Sequence, residues 1–187
     1  MNSQEGNPVA AVSQTIPITQ SSELLSQLFA EHHRRVLTAA CRITGSMADA
    51  EDVTQAVFLR LASGKGLPMA NAGSYLYRAA INGALDLLRR QKAAQTESLE
   101  EASVETFAGE GSSPELEASS RELGAWLRLA ITELAPRAGE MFTLRYVEEL
   151  GNREIAALMG TSQAVVAVTL HHARSRLKKR LRELERR

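Results

Sequence analysis

An intrachain disulfide is excluded at once, because Cys41 is the only cysteine in 187 residues. It lies in an apolar helical pattern that suits a packed thiol, and a reducing cytoplasm is the compartment this predicts. Net charge is also missing: 22 Lys/Arg balance 22 Asp/Glu, so no global basic field draws the chain to a polyanion. No apolar run approaches the roughly 18 residues of a membrane span, and the N-terminus has no charged region followed by an apolar signal segment. The expectation is a soluble, cytoplasmic protein without membrane insertion. No segment alternates as a strand should, which points to an all-α fold.

Catalytic and metal-binding constellations are absent too. His32–His33 and His171–His172 are adjacent pairs. Neighbouring helical residues point about 100° apart, and neither pair has the Cys or carboxylate that would complete a tetrahedral set. "GKG" at Gly64–Gly66 lacks the rest of a P-loop, and there is no Ser–His–Asp arrangement. Neither a metal nor a cofactor is expected, and an enzymatic reading has no support.

What the chain does have is an uneven division of charge. Residues 1–92 hold nine Lys/Arg and seven Asp/Glu, residues 93–118 hold none and seven, and residues 119–187 hold thirteen and eight. Two mildly basic blocks flank an acidic connector, and His171–Arg187 alone carries eight of the cations. Residues 1–20 mix Gly, Pro, Ser, Gln and Asn without periodicity and predict a disordered arm.

From Ser21 or Ser22, plausible N-caps, Leu24, Leu25, Leu28, Phe29, Val36, Leu37, Ala40 and Ile43 recur at helical spacing until Gly45. Ser46 and Asp49 open a second helix as an acidic capping box, and Ala50, Val53, Val57, Phe58 and Leu61 share one side of it. The segment "SGKGLPMANAGS" breaks the pattern before a third helix, "YLYRAAINGALDLLRRQKA". Residues 93–118 are acidic and Ser-rich, a flexible linker, with helix returning near Pro114 and a further helix starting near Pro136. The predicted organisation is an arm (1–20), a helical domain (21–92), a linker (93–118) and a second helical domain (119–187).

The segment "NREIAALMGTSQAVVAVTLHHAR" has the grammar of a helix-turn-helix: a short amphipathic helix, Gly160 in the turn, Thr161 or Ser162 as N-cap, then a longer helix. An ordinary helical hairpin has the same outline. The basic continuation beyond it favours DNA.

Three ordered motifs now converge. "GSMADAEDVTQAVFLRL" (Gly45–Leu61), "YLYRAAINGALDLLRR" (Tyr75–Arg90) and "LRYVEELGNREIAALMGTS" resemble the successive signatures of the extracytoplasmic-function class of bacterial RNA polymerase sigma factors, with Tyr75 standing where a Trp is usual. The resemblance covers residues 22–92 and 120–184. It implies a promoter-recognition subunit with no active site, whose partners are core RNA polymerase, promoter DNA and the anti-sigma factor such proteins often have.

By that resemblance Asp52, Gln55, Val57, Phe58 and Arg60 engage polymerase, although Val57 and Phe58 equally suit the core. The loop Gly64–Ser74, with Lys65, Asn71 and Ser74, would accept a flipped base of the downstream element. On the third helix Arg78, Asn82, Asp86, Arg89 and Arg90 form a polar stripe opposite Leu76, Ala80, Ala84 and Leu87. Arg can hold phosphate there and Asn can reach a base edge. Tyr75 and Tyr77 are candidates for stacking on bases, with one of the two expected in the core. A solvated face carrying an Asp86–Arg90 ion pair is the plainer alternative.

The closing helix departs from the family. Val165, Ala167, Val168 and Thr169 occupy positions where Thr, Lys, Ser and Arg are frequent, and Ala138–Gly139 replaces a usual Gln–Arg. Val166, Leu170, Ala173 and Leu177 have core spacing. That leaves Ser162 and Gln163 to hydrogen-bond bases, Ala164, Ala167, Val168 and His171 to meet thymine methyls, and Arg174, Arg176 and Lys178 to hold phosphates, joined by Lys179 and Arg180. Two other readings stay open: a stand-alone helix-turn-helix regulator, and a protein-interaction module using the Ala/Val face.

Overall fold

The computed structural model describes residues 18–63, 71–97, 114–184 and 186, with side chains for 23–63, 71–94, 122–183 and 186. These residues form seven helices and no strand: α1 (Ile18–Thr44), α2 (Met47–Ala62), α3 (Ala72–Glu97), α4 (Pro114–Thr132), α5 (Pro136–Tyr146), α6 (Asn152–Met159) and α7 (Gln163–Leu184). The all-α expectation holds. Most of the arm (1–17), residues 64–70 of the loop and residues 98–113 of the acidic connector lie outside the described residues.

Local signals set most boundaries. Gly45 stops α1 with a φ of 73°, a left-handed conformation that costs glycine little. Ser46 then caps α2, its Oγ accepting from the Asp49 amide at 3.3 Å, a contact worth about 1 kcal/mol. Pro136 opens α5, where its missing N–H would have had no intrahelical partner.

Two helix ends differ from the sequence reading. α1 begins at Ile18, so Ser21 and Ser22 lie inside it and are not its caps. Ile18, Thr19 and Gln20 include no breaker that would halt the helix sooner. α3 continues to Glu97, carried through Ala93, Ala94 and Gln95, all good helix formers.

The first three helices pack on one another through Val36, Ala40 and Ile43 of α1, Ala50 and Val53 of α2, and Leu76, Ala80, Ile81, Ala84 and Leu85 of α3. Ile131 and Leu134, Met141 and Leu144, Ile155, and Val166, Leu170 and Leu177 fill the space among α4 to α7. Burying each such aliphatic side chain contributes about 1.5–3 kcal/mol. The two sets are contiguous, because α3 also packs on α4 and α5.

The α6–α7 turn is fixed by backbone geometry. Gly160 is left-handed (φ 60°, ψ 48°), and the Thr161 amide donates back to the Ala156 carbonyl at 2.9 Å, satisfying an end-of-helix acceptor. Ser162 Oγ accepts from the Val165 amide at 3.2 Å and caps α7. Ala156 is buried, and its small side chain lets α6 and α7 cross closely.

Candidate nucleic-acid and partner interfaces

A groove of about 770 Å³ runs between α2 and α3. Asp52, Val57 and Arg60 line one side; Tyr75, Arg78, Asn82, Asp86, Arg89 and Arg90 line the other. The polar stripe read from α3 is therefore gathered in one open concavity, with Leu76, Ala80 and Ala84 buried behind it, whereas Leu87, expected on that buried side, is half-buried in the groove wall. Asp86 pairs with Arg89 at 2.6 Å, so the ion pair expected at Arg90 falls one residue earlier, and Arg90 is left exposed. Asn71 is exposed and Ser74 half-buried at the start of α3, while Lys65 lies outside the described residues.

The two tyrosines separate cleanly. Tyr75 is half-buried in the groove wall. Tyr77 is only 4% exposed, its ring sits 4.3 Å beneath the Arg35 guanidinium, and its hydroxyl donates to Glu148 Oε2 at 2.6 Å. Burial, followed by the bond to Glu148, holds the Tyr77 phenol well above its ordinary pKa, so it remains a donor. Tyr77 is thus the member of the pair that joins the core.

On the opposite side of α2, Gln55 and Phe58 line a mainly apolar hollow of about 560 Å³ with Leu25, Phe29, His33 and Leu59. Val57 and Phe58 are buried, consistent with the core half of their double reading. Phe58 nevertheless meets Phe29 edge-on at 4.9 Å between centroids, and His33 stacks on Phe29 at 4.5 Å. Phe29 and Leu59 are 46% and 62% exposed. Neither was read as a surface residue; Leu59 stands out in hindsight as an apolar side chain out of phase with Val57, Phe58 and Leu61.

α7 divides as its spacing predicts. Val166, Leu170, Ala173 and Leu177 are buried. Ser162, Gln163, Ala164, Ala167, Val168, His171, Arg174, Arg176 and Lys178 are all exposed. Val165 shares the exposed side, and Val168 is 57% exposed. Ser162 spends its oxygen on capping, which leaves Gln163 and His171 as the polar side chains at this edge.

A third set of residues was missed from sequence: carboxylates that join the two halves. Arg78 Nε donates to Glu140 Oε1 at 2.6 Å and its Nη1 to the Leu158 carbonyl at 3.2 Å. Glu148 receives Arg42 at 3.2 Å as well as Tyr77. Glu133 Oε1 accepts from Lys92 at 2.6 Å and from Arg180 at 3.0 Å. The Lys92 bond chiefly, with the charges of Lys92, Arg180 and Arg176, holds Glu133 below the usual carboxylate range against a smaller desolvation effect. The available signal was Glu140, a charge three and four residues from the apolar-facing Thr143 and Leu144.

Among the described residues no three His, Cys, Asp or Glu side chains gather as a metal site. His32 lies against Glu31, and His33 belongs to the aromatic hollow. No described helix is long and apolar enough to cross a membrane.

Comparison with known proteins places the chain in a family. The family model for Sigma-70 region 2 matches residues 28–94, and that for Sigma-70, region 4 matches residues 124–177. The chain is 31% identical over 153 residues to the ECF RNA polymerase sigma factor SigE of Mycolicibacterium smegmatis, covering 81% of this chain and 59% of that protein. It is 30% identical over 167 residues to the RNA polymerase sigma factor CarQ of Myxococcus xanthus, covering 88% and 93%. In fold it is similar to the sigma factor RpoE of Bartonella quintana, solved with the anti-sigma factor NepR, at a TM-score of 0.51 and 16% identity over 86% of this chain and 98% of that one. The chain therefore belongs to the extracytoplasmic-function class of the sigma-70 family, RNA polymerase sigma factors that recognise promoters and initiate transcription.

Proposed function

We infer that this chain docks on core RNA polymerase through its first helical unit and holds a two-part promoter with both. Residues 21–92 act as the docking and downstream-element unit, 119–187 as the upstream-element unit, and 93–118 as the connector behind a leading arm of 1–20. Work on polymerase sets the cytoplasm as the place of action. The factor contributes binding and positioning and performs no bond chemistry of its own.

The observation that carries this reading is the division of α7. Every residue assigned to upstream DNA is exposed, and the four core-spaced residues are buried beneath them. A helix anchored along one side, preceded by a fixed turn, presents its opposite side to a major groove. Its second half supplies Arg174, Arg176 and Lys178 for phosphates, and its first half supplies small apolar side chains that fit thymine methyl groups.

The hollow of Phe29, His33, Phe58 and Leu59 supports the docking role, since exposed apolar side chains beside a packed aromatic make a partner-binding surface. Gln55 lies in that hollow, whereas Asp52 and Arg60 face the neighbouring groove. Asn71, Ser74, Tyr75, Arg78, Asn82, Asp86, Arg89 and Arg90 are assigned to the opened strand in this reading. An anti-sigma factor competing for these surfaces is part of the same proposal.

Run-off transcription with purified core enzyme tests the reading, and a gel shift with the chain alone separates it from a stand-alone regulator. Tight sequence-specific binding by the isolated chain, with no effect of core polymerase, would favour the regulator.

A further inference from the structure

We propose that His171 and His172 are a titratable reader of the upstream promoter element: they donate hydrogen bonds to acceptors on the DNA, and their protonation tightens the grip of α7 in mildly acid solution. The proposal rests on the assignment of α7 to upstream DNA and names the donors this helix uses there.

The sequence leaves few candidates for that task. No Lys or Arg stands between Arg153 and Arg174. Permanent cations are therefore missing from the turn and from the first ten residues of α7, the part of a helix-turn-helix that contacts base edges. Ser162 Oγ is engaged in the cap, and Thr169 is half-buried. Apart from Gln163 at the helix start, the two imidazoles are the only exposed hydrogen-bonding side chains from Gln163 to His172. Ala167 and Thr169 stand where the family frequently has Lys and Arg, so the charge that remains at this edge is one that titrates.

Their place on the helix is a second, independent observation. At about 100° per residue, Val168 lies nearly opposite Val166, which is fully buried. His172 and His171 fall about 40° and 60° to either side of Val168, one turn further along. Both are exposed. Arg174 is about 120° around the axis from Val168. A major groove that receives Val168 therefore meets the imidazoles at its floor, and Arg174 at the flank where phosphates run.

Both rings are available for this contact. Among the described residues neither has a hydrogen bond or an ion pair, and their ring contact is with each other, edge-on at 5.8 Å between centroids. The carboxylates of the helices packed on α7 are engaged elsewhere: Glu133 with Lys92 and Arg180, Glu140 with Arg78, and Glu154 with the Gly151 amide. Glu148, between α5 and α6, holds Arg42 and Tyr77. Glu122 of α4 and Glu149 before α6 are exposed and pair with neither ring. Arg137, Arg145 and Arg153 are the exposed cations of α5 and α6, and Arg174 and Arg176 follow on α7 itself. No carboxylate of the protein faces the pair, so DNA supplies the negative charge that favours the imidazolium form.

The chemistry follows from the donor count. A neutral imidazole has one N–H and an imidazolium has two. One N–H reaches an acceptor on a purine edge in the major groove, and the second, present only after protonation, reaches a phosphate oxygen. Imidazole side chains change charge between about pH 8 and pH 5. An arginine in the same place would hold its charge throughout that range.

The test uses holoenzyme reconstituted with the full-length chain and a fluorescein-labelled promoter found by run-off transcription, its downstream element premelted. Duplexes lacking the upstream element correct for the pH response of polymerase itself. From about pH 8 to about pH 6 the upstream-dependent affinity of wild type should rise about five-fold, the gain of one charge-assisted hydrogen bond. The slope of log affinity against log salt should steepen by about one over the same interval. His171→Gln/His172→Gln should abolish the gain, and His172→Arg should keep the acid-side affinity at the higher pH. 7-Deazapurines or methylphosphonates in the upstream element separate a purine edge from a phosphate, because the one that carries the contact removes the gain. A flat wild-type profile, a pH response that survives in the double variant, or a gain untouched by both DNA changes would each overturn the proposal. Wild-type holoenzyme that binds equally with and without the upstream element at both pH values would bring down the assignment of α7 to DNA, and this inference with it.

Discussion

Arg78 and Glu140 lie 62 positions apart in the chain, yet Nε and Oε1 meet at 2.6 Å across the boundary between α3 and α5. Replacing the carboxylate with a methyl group strands a guanidinium that is about one-third exposed. Full burial of such a pair would make its disruption cost several kcal/mol, and solvent at Arg78 reduces this to about 1–2 kcal/mol. Urea unfolding of Glu140→Ala should show that loss, with Glu140→Gln losing less. Unchanged midpoints for both would mean the contact is not made in solution.

Leu59 and Phe58 should separate docking from folding. Leu59→Glu changes an exposed side chain and should alter stability by less than about 0.5 kcal/mol, while reducing affinity for core polymerase at least ten-fold in a direct binding assay. Phe58→Ala should weaken docking and also cost about 3 kcal/mol of stability, because the ring is buried. A Leu59→Glu variant that docks normally would remove the hollow from the polymerase interface.

Asn82 stands in the groove with no role in the hollow. Asn82→Ala should leave core association intact and reduce promoter opening, read as permanganate reactivity of unpaired thymines. The reverse pattern would refute the assignment of α3 to the downstream element.

The apolar edge of α7 predicts methyl readout. Replacing thymine by uracil in the upstream element removes only C5 methyl groups. Each methyl buried against Val168 or Ala167 contributes about 0.8 kcal/mol, so each replacement should weaken holoenzyme binding about four-fold. Val168→Ser should abolish that difference. A promoter that binds equally well with uracil throughout would exclude methyl recognition.

Acid should loosen the contact at Glu133. Its carboxyl is held below the usual range, first by the hydrogen bond from Lys92. A lowered folded-state pKa contributes stability that is fully present above the unfolded value of about 4.3 and is lost as pH falls through the folded value. Between about pH 5 and 3, Glu133→Gln should therefore show a shallower loss of stability than wild type. Parallel curves would show that Glu133 is not paired in the folded protein.

Much of this arrangement was legible before any coordinates. Helical periodicity located the core side of α7, and the Ser46 and Gly160 signals marked a helix start and a turn that the backbone geometry reproduces. These features are local, set within one or two turns of chain. Contacts between distant segments were not legible: nothing within α3 tells that Arg78 faces a carboxylate from α5, or that Tyr77 rather than Tyr75 is enclosed. Glu140 carries no local signal that identifies its partner, because Arg78 lies 62 positions away. Leu59 was lost for the opposite reason, since an apolar residue in an amphipathic helix reads as core unless its phase is followed.

The most direct test is run-off transcription on genomic promoters with purified core RNA polymerase, with and without this chain, combined with a pull-down of core enzyme. The account predicts discrete transcripts that depend on the chain and stable association with core. No chain-dependent transcript, together with no association, would contradict it.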